Sequence, residues 1–438
     1  MSKKSVKLAA TSENISDDDS NIKDIKIKPP KNSVKSKRKK AIIITIVVIL
    51  ILAALGGGGA ALYFLVFNKP KDDTPTEQEP QKEPEPPKYY SKLTGLEIAS
   101  ESDNNLPLYC IQIPNGADGP RPQTGLDEAG VVFEAIAEAG ITRFAAVFQN
   151  PKSKTIGPIR SLRSYYLDWD TPFDCAIVHA GGSDDAVAAV RAGGYHDLTE
   201  SAVYMWRDYN SYWAPNNLMT SPTLLADFAK DDGYTTANPQ TFPRQTFDEA
   251  KVAIENLNLP AAEGEEATGE NTPTNCAEGE EGTNCASTSV PFVPEIAVNF
   301  GSVPTFNTIY HYDLDSNTYR RSYASGEEHL VYNCDAAEVN EPSPKKDCGI
   351  AKQVAPSAVA VMMVDERLDS DNYHHVIQTI GTGTAYVFQN GTAVKGTWKK
   401  TTKASQIIFS DEAGNPISFT PGQLWIAAIP NYGGSVQF

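Results

Sequence analysis

The chain has 438 residues, of which 38 are basic and 55 acidic, and its formal net charge is −17. Residues 1–40 are basic, so the remainder is more acidic than the whole. Because nucleic-acid binding needs a basic surface, this charge distribution argues against a nucleic-acid partner. The length is sufficient for two or three domains.

An apolar run begins at Ala41 and ends at Phe67. About 20 such residues cross a bilayer, and the basic flank before Ala41 predicts that residues 1–40 form a disordered cytoplasmic tail. The sequence therefore predicts a single-pass transmembrane helix at 41–67, followed by extracytoplasmic domains. A signal peptide cleaved near Ala60 is the alternative. The glycines at 56–59 leave helix-mediated self-association open.

The remaining chain divides by composition. Residues 68–88 are rich in Pro and Glu, which predicts an extended spacer. We expect an N-terminal α/β-type mixed-sheet domain at 89–258 and a smaller, mostly β domain at 291–438, an α+β fold overall. Residues 259–290 are acidic and lack a core-forming period, which indicates an insertion or linker. Asn390-Gly391 predicts a type I′ hairpin.

Six cysteines follow the membrane segment, at positions 110, 175, 276, 285, 334 and 348. An even number in an exported region predicts disulfides. The pairs Cys276–Cys285 and Cys334–Cys348 would close short loops, whereas Cys110 and Cys175 either pair or stay reduced. The chain has no metal-ligand spacing and no phosphate-loop or dinucleotide motif, so neither a metal nor a cofactor is predicted.

Charged residues interrupt two apolar, strand-like runs at 131–137 and 141–148. Buried charges are costly unless they are paired or functional. An arginine-rich turn follows, and if its residues turn helically its two arginines share one helix face. We therefore predict an anion-recognition or acid/base site built from Glu134, Arg143, Arg160, Ser161 and Arg163. A structural Glu–Arg pair between neighbouring strands is the alternative.

Further candidates come from two other segments. His179 ends an apolar run at a Gly-Gly corner, and Ser183 is placed to cap the helix predicted from Asp184 to Ala192. Such corners often bind ligands in α/β domains. Arg207 and Asn217 belong to an aromatic-rich loop whose residue types suit sugars. Aromatic packing and a structural histidine are the alternatives at these positions.

Several motifs resemble one bacterial family. They are GITRF at Gly140–Phe144, IGPIRSLRS at Ile156–Ser164 and HAGGS at His179–Ser183. Their arrangement is similar to that of the YerB-like lipoproteins, a family of unknown function, and the resemblance covers most of the chain after residue 91. It implies a two-part extracytoplasmic module. The chain departs from the family at Asn216, where a His is common, and in having no lipid-accepting cysteine near the apolar segment.

These features predict a membrane-anchored, extracytoplasmic cell-envelope protein that binds an anionic or sugar-containing envelope ligand through an Arg/Glu cleft. One alternative is a cell-wall glycan-processing enzyme, with Glu134 as the acid or base and His179 as a positioning group. Another is a scaffold that binds a second envelope protein. The sequence contains no specific catalytic motif and leaves enzymatic activity open.

Overall fold

The computed structural model describes residues 87–259, 290–301 and 303–438. The predicted cytoplasmic tail, the transmembrane segment, nearly all of the spacer and nearly all of the acidic insertion lie outside these ranges. Among the helices of the described ranges, none combines the length and apolar character needed to span a bilayer. The described residues all belong to one compact unit.

A ten-stranded mixed sheet forms the centre of the protein. Its strands, in spatial order, are β23 (Ile408–Asp411), β22 (Thr392–Lys400), β21 (Gly381–Gln389), β18 (Ala358–Val364), β24 (Leu424–Pro430), β5 (Val131–Glu138), β6 (Ile141–Gln149), β3 (Leu108–Pro114), β7 (Ala176–His179) and β8 (His196–Thr199). The middle strands are largely apolar on both faces because both faces are covered, with Glu134, Thr142 and Arg143 as buried polar exceptions in β5 and β6.

The two halves of the chain meet within this sheet. Strand β24, from the second half, pairs in parallel with β5, from the first half, with Trp425 opposite Val132. Strand β24 also pairs in parallel with β18, and β18 pairs antiparallel with β21. The predicted N-terminal and C-terminal domains therefore contribute strands to one continuous hydrogen-bonded sheet.

A four-stranded antiparallel sheet packs on one face of the central sheet. It contains β15 (Thr318–Tyr323), β14 (Thr308–Asp313), β13 (Glu295–Asn299) and β25 (Ser435–Gln437). The smaller sheets are β17 (Gly349–Gln353), β16 (Leu330–Asn333) and β4 (Gln123–Thr124), then β1 (Tyr89–Tyr90) with β2 (Glu97–Ile98), β9 (Trp206–Arg207) with β10 (Leu218–Met219), β11 (Leu257–Asn258) with β12 (Val290–Pro291), and β19 (Glu366–Leu368) with β20 (His375–Ile377).

The helices are short, and α1 (Ser164–Asp170) covers the opposite face of the central sheet, where Trp169 stacks on Phe133 at 5.4 Å between ring centroids. The others are α2 (Asp184–Arg191), α3 (Pro222–Asp231), α4 (Phe247–Glu255) and α5 (Pro344–Asp347). Ser183 occupies the N-cap position of α2, so the predicted helix is confirmed to within one residue. The condition under which Arg160 and Arg163 would share a helix face is not met, because Arg163 has extended backbone and α1 begins after it.

Disulfides and turns complete the fold. Cys334–Cys348 is bonded as predicted, and Cys110–Cys175 joins β3 to the start of β7 across 5.8 Å between Cα atoms. The predicted Cys276–Cys285 pair lies outside the described residues. Asn390 and Gly391 both have positive φ, 51° and 68°, which confirms the predicted type I′ turn between β21 and β22.

Candidate functional site

Glu134 and Arg143, predicted to converge, point to opposite faces of the central sheet. In the β5–β6 hairpin, Glu134 lies opposite Phe144 and Ala135 lies opposite Arg143. Directly opposed residues share a face and successive residues alternate. A bulge between Ile136 and Glu138 shifts this alternation by one residue. The bulge places Glu138, rather than Glu134, on the face of Arg143.

Glu138 pairs with two arginines. Arg143 Nη2 donates to both carboxylate oxygens of Glu138 at 3.0 Å, and Arg163 Nη2 also donates to Glu138 Oε1. Two further donors bind backbone carbonyl oxygens, Arg143 Nη1 that of Ser161 at 2.8 Å and Arg163 Nη1 that of Leu162 at 2.7 Å, whereas Arg163 Nε is buried without an acceptor. We call Glu138, Arg143 and Arg163 the Glu138 cluster. One carboxylate thus balances two buried guanidinium groups.

Arg160 lies beside the Glu138 cluster and differs from it. Its backbone N–H donates to Gln112, but no carboxylate pairs with its side chain within the described ranges, and its Nε is buried without an acceptor. Burial lowers the pKa of Arg160, and the charges of Arg143 and Arg207 lower it further. Among the described residues, Arg160 therefore has two positively charged neighbours and no carboxylate bonded to it.

Arg160 and Arg143 line a cavity of about 370 Å³ at the end of the central sheet, which we call the Arg160 cleft. The cleft lies beside the β5–β6 turn, and both halves of the chain contribute to its walls. Polar and aromatic side chains that also line it are those of Asn115, Asp118, Glu138, Asn216, Phe306 and Tyr373. The phenol of Tyr373 raises the pKa of Arg143, Arg160 and Arg163 and so partly opposes the effect of their burial. The cleft combines positive charge with aromatic and amide groups.

The other predicted ligand-binding residues surround the cleft without lining it. Arg207 donates to Asn217 Oδ1 at 2.8 Å and pairs with Glu200, so its guanidinium is occupied. Asn217 is fully buried and its Nδ2 has no partner. Ser161 contributes its carbonyl to Arg143, and Ser183 donates its backbone N–H to Leu162 at 3.1 Å. These residues support the loops that position Arg160.

Glu134 lies in a buried network on the other face of the sheet, which corrects its predicted place among the arginines of the cleft, although Asn115 and Thr142, which donate to it, also line the cleft. Both of its carboxylate oxygens accept from Arg321 Nη2 at 3.0 Å, and Oε2 also accepts from Trp425 Nε1 at 2.9 Å. Thr142 donates to Oε1 at 2.9 Å, and the carboxylate is fully buried. A carboxylate with these donors and no access to solvent has no room for substrate, so the geometry gives no support to an acid or base role for Glu134.

His179 is also occupied. Its Nδ1 lies 2.6 Å from the carbonyl oxygen of Gly181, and its Nε2 lies 2.9 Å from Asp197 Oδ1. The side chain is buried, and both ring nitrogens lie within hydrogen-bond distance of protein oxygens. His179 therefore stabilises the Gly-Gly corner through its contact with Gly181 and does not line the cleft. This arrangement corresponds to the structural histidine that the sequence left as an alternative.

Sequence reasoning missed Tyr373 and Phe306 as cleft residues. Both come from the second half of the chain, and no local motif marks them. Asn216 was visible only as a departure from the family pattern. Across the described ranges, no group of three or more His, Cys, Asp or Glu side chains is arranged to bind a metal ion.

Fold and cleft define an α+β protein whose two halves share one sheet, with an arginine-lined cleft at the end of that sheet. Comparison with family models identifies the family. The model described as "Protein of unknown function (DUF3048) N-terminal domain" matches residues 93–235, and the corresponding C-terminal domain model matches 296–426. The chain belongs to this family, which confirms the YerB-like resemblance.

Two comparisons with individual proteins agree with this family assignment. The chain is 26% identical over 377 residues to "Putative lipoprotein YerB" from Bacillus subtilis (strain 168), covering 84% of this chain and 92% of that protein. The crystal structure of the YerB protein from Bacillus subtilis is similar with a TM-score of 0.58 and 22% identity, covering 80% of this chain and 100% of that chain. The structural likeness supports the fold.

Proposed function

We propose that this protein is a membrane-anchored, extracytoplasmic envelope protein that binds an anionic or sugar-containing envelope ligand in the Arg160 cleft. The observation that supports this proposal is the unpaired guanidinium of Arg160, which lines a cavity next to Arg143. Arg160 is half-buried and its Nε is buried without an acceptor, so an anionic group bound there would offset the cost of the partly desolvated charge. The Arg/Glu cleft of this proposal contains Glu138 in place of Glu134.

The charge of the protein makes a focused site more suitable than a broad one. The net charge of −17 disfavours the binding of polyanions to a broad surface. Arg143 and Arg160 line the cleft together with the carboxylates of Glu138 and Asp118, and Arg163, which does not line it, also pairs with Glu138. A single carboxylate or phosphate group fits the guanidinium of Arg160, which has no carboxylate partner among the described residues, and Tyr373 offers a ring face to an attached sugar.

Replacing Arg160 with Gln tests the proposal. We expect the dissociation constant for inorganic phosphate to rise about tenfold or more, because a hydrogen bond to a charged group contributes roughly 1.5–3 kcal/mol. Titration followed by NMR chemical shifts measures the constant, and soluble peptidoglycan fragments provide a second ligand. The control is Arg367→Gln, since Arg367 is exposed and its Nη1 contacts only the neighbouring carbonyl of Leu368. Equal binding by both variants would refute the proposal.

The anchoring part of the proposal rests on the apolar run at 41–67 and on the lipoprotein name of the Bacillus subtilis relative. We expect protease added to intact cells to degrade the domains after residue 87 while an epitope at the N-terminus stays protected. Deleting residues 41–67 should move the protein out of the membrane fraction. Protease access to the N-terminal epitope, or release of the intact protein by cleavage near Ala60, would contradict this topology.

A further inference from the structure

A second cavity, of about 780 Å³, lies between the β1–β2 hairpin and the segment that leads into α4. We call it the hairpin cavity. It shares no lining residue with the Arg160 cleft. Its lining combines cationic and aromatic side chains, namely Lys88, Lys92, Arg244, Tyr90, Phe242 and Phe247. Two carboxylates, Glu97 and Asp248, also line it.

Arg244 carries a positive charge into this cavity without a counter-ion. Its Nη1 donates to the carbonyl oxygens of Thr420 at 3.3 Å and Gly422 at 3.1 Å, and its Nη2 donates to that of Leu93. Its Nε is buried without an acceptor, and no carboxylate of the described chain pairs with it. Burial lowers the pKa of Arg244 to about 9. Neutral carbonyls orient the guanidinium but do not neutralise it.

Lysines add to the positive charge. Lys92 makes only a long contact with Glu101, 3.8 Å between exposed groups, and such surface pairs contribute little free energy. Lys88 also lines the cavity. The three cations outnumber Glu97 and Asp248, in a chain whose overall charge is strongly negative. This local reversal favours an anionic ligand.

Aromatic side chains provide an apolar surface next to these cations. Tyr90 and Phe247 are 45% and 50% exposed although their ring centroids are only 6.3 Å apart, and Phe242 is buried behind them. Large apolar side chains left half in water beside a cavity are typical of ligand sites. A single ligand bound there would cover the exposed rings of Tyr90 and Phe247 and would also reach Arg244.

We infer that the hairpin cavity binds an amphipathic anion, a carboxylate or phosphate joined to an acyl chain or an aromatic ring. The anionic group would lie near Arg244 and Lys92, and the apolar part would lie against Tyr90 and Phe247. This site is separate from the Arg160 cleft and does not depend on the function proposed for it. A fatty acid and a peptide with an aromatic C-terminal residue both have this chemistry.

The fluorescent probe 8-anilinonaphthalene-1-sulfonate, an aromatic anion, tests the inference on the full chain. We expect saturable binding at one site, with the dissociation constant raised at least about tenfold by Phe247→Ser and by Lys92→Gln. Val252→Ser is the control for Phe247, because both residues are on α4 and Val252 is 52% exposed. Lys251→Gln is the control for Lys92, because Lys251 makes an equally long 3.8 Å contact with Glu255.

Competition identifies the source of the ligand. Displacement of the probe by decanoate assigns an acyl ligand, and displacement by N-acetylphenylalanine assigns a peptide carboxylate. Displacement by neither compound overturns the inferred ligand class. Unchanged binding in Phe247→Ser and Lys92→Gln, with melting temperatures showing that both variants are folded, overturns the site. Loss of binding in Arg160→Gln instead places the probe in the Arg160 cleft, which also overturns the inference.

Discussion

Glu138 accepts hydrogen bonds from two guanidinium groups, while the neighbouring Arg160 has no carboxylate partner among the described residues. The difference follows from distance along the chain. Glu138 and Arg143 belong to one hairpin, five residues apart, so their pairing is local. Arg160 follows a turn after β6 and points to the end of the sheet, where no acid of the hairpin is left to pair with it.

A second group of buried polar residues connects the halves of the chain. Arg321 binds Glu134 and also donates to His329 Nδ1 at 2.6 Å, and His329 Nε2 lies 2.9 Å from Gln123 Oε1. Since Arg321 can only donate, Nδ1 must accept and Nε2 must carry the proton. The rings of Tyr323 and Trp425 enclose the imidazole. His329 is therefore neutral in the folded protein.

Stability should fall in acid because of His329. Burial, followed by the charges of Arg321 and Arg121, lowers its pKa well below 6.5. Below about pH 6.5 the unfolded chain binds a proton at this position and the folded chain does not, so the contribution is present above that pH and is lost as the pH falls. Relative to His329→Gln, we expect the free energy of unfolding to decrease by up to about 1.4 kcal/mol per pH unit.

Urea unfolding of the two proteins at several pH values measures this difference. Burial raises the pKa of Asp170 well above 3.8, so the folded chain holds a proton there that the unfolded chain loses as the pH rises. The contribution of Asp170 to the free energy of unfolding therefore increases as the pH falls, opposite to that of His329. It is present in both proteins and cancels in the comparison. Parallel stability curves for wild type and His329→Gln would show that His329 can be protonated without unfolding.

At the scale of elements, two hairpins fix the register of the central sheet. The β5–β6 turn has positive φ at Ala139 (48°) and Gly140 (76°), and the β21–β22 turn has positive φ at Asn390 and Gly391. Both turns match the twist of antiparallel strands. The second turn is also packed, because a Cβ built on Gly391 would lie 2.9 Å from Tyr312 Cε1 and 3.0 Å from Leu257 Cδ1.

Gly391→Ala should therefore cost more stability than Gly414→Ala. Both glycines have positive φ, 68° and 88°, and the backbone strain from a Cβ costs roughly 1–2 kcal/mol at each. A Cβ at Gly414 would meet nothing within 4 Å, whereas at Gly391 crowding should add about 1–3 kcal/mol. Chemical denaturation of the two variants measures the difference, and equal losses would mean that Tyr312 and Leu257 move aside freely.

At the scale of the whole molecule, the halves share both a sheet and a buried charge network. The β24–β5 pairing crosses the middle of the ten-stranded sheet, and Arg321 reaches Glu134 across 187 positions of sequence. Separating the halves would expose strand edges and break the pair of Glu134 and Arg321. Each charge would then either stay buried without a partner or become exposed to water. Neither half has an independent set of satisfied contacts in this arrangement.

We therefore expect the two halves to unfold in one cooperative step. Hydrogen exchange of the full chain in increasing urea, followed by mass spectrometry, should show peptides from β5–β6 and from β21–β22 losing protection at the same midpoint. Two midpoints separated by more than the fitting error would mean that the halves are independent domains that only touch.

The sequence alone determined the features that depend on neighbouring residues. Strand runs, the cap of α2, the Asn390-Gly391 turn and the short Cys334–Cys348 loop follow from local propensity and short loop closure. The arginines of the cleft were also identified, because buried charges stand out in apolar strands. Family motifs along residues 140–183 identified the family.

Only the tertiary structure decided which charges meet. A one-residue bulge moves Glu138 to the face of Arg143, and period-two alternation puts Glu134 on the other face. The partner of Glu134 is Arg321, a residue from the other half of the chain, and Tyr373 and Phe306 reach the cleft in the same way. Such pairings depend on strand register and on the packing of two sheets, and neither is encoded in any local run of residues.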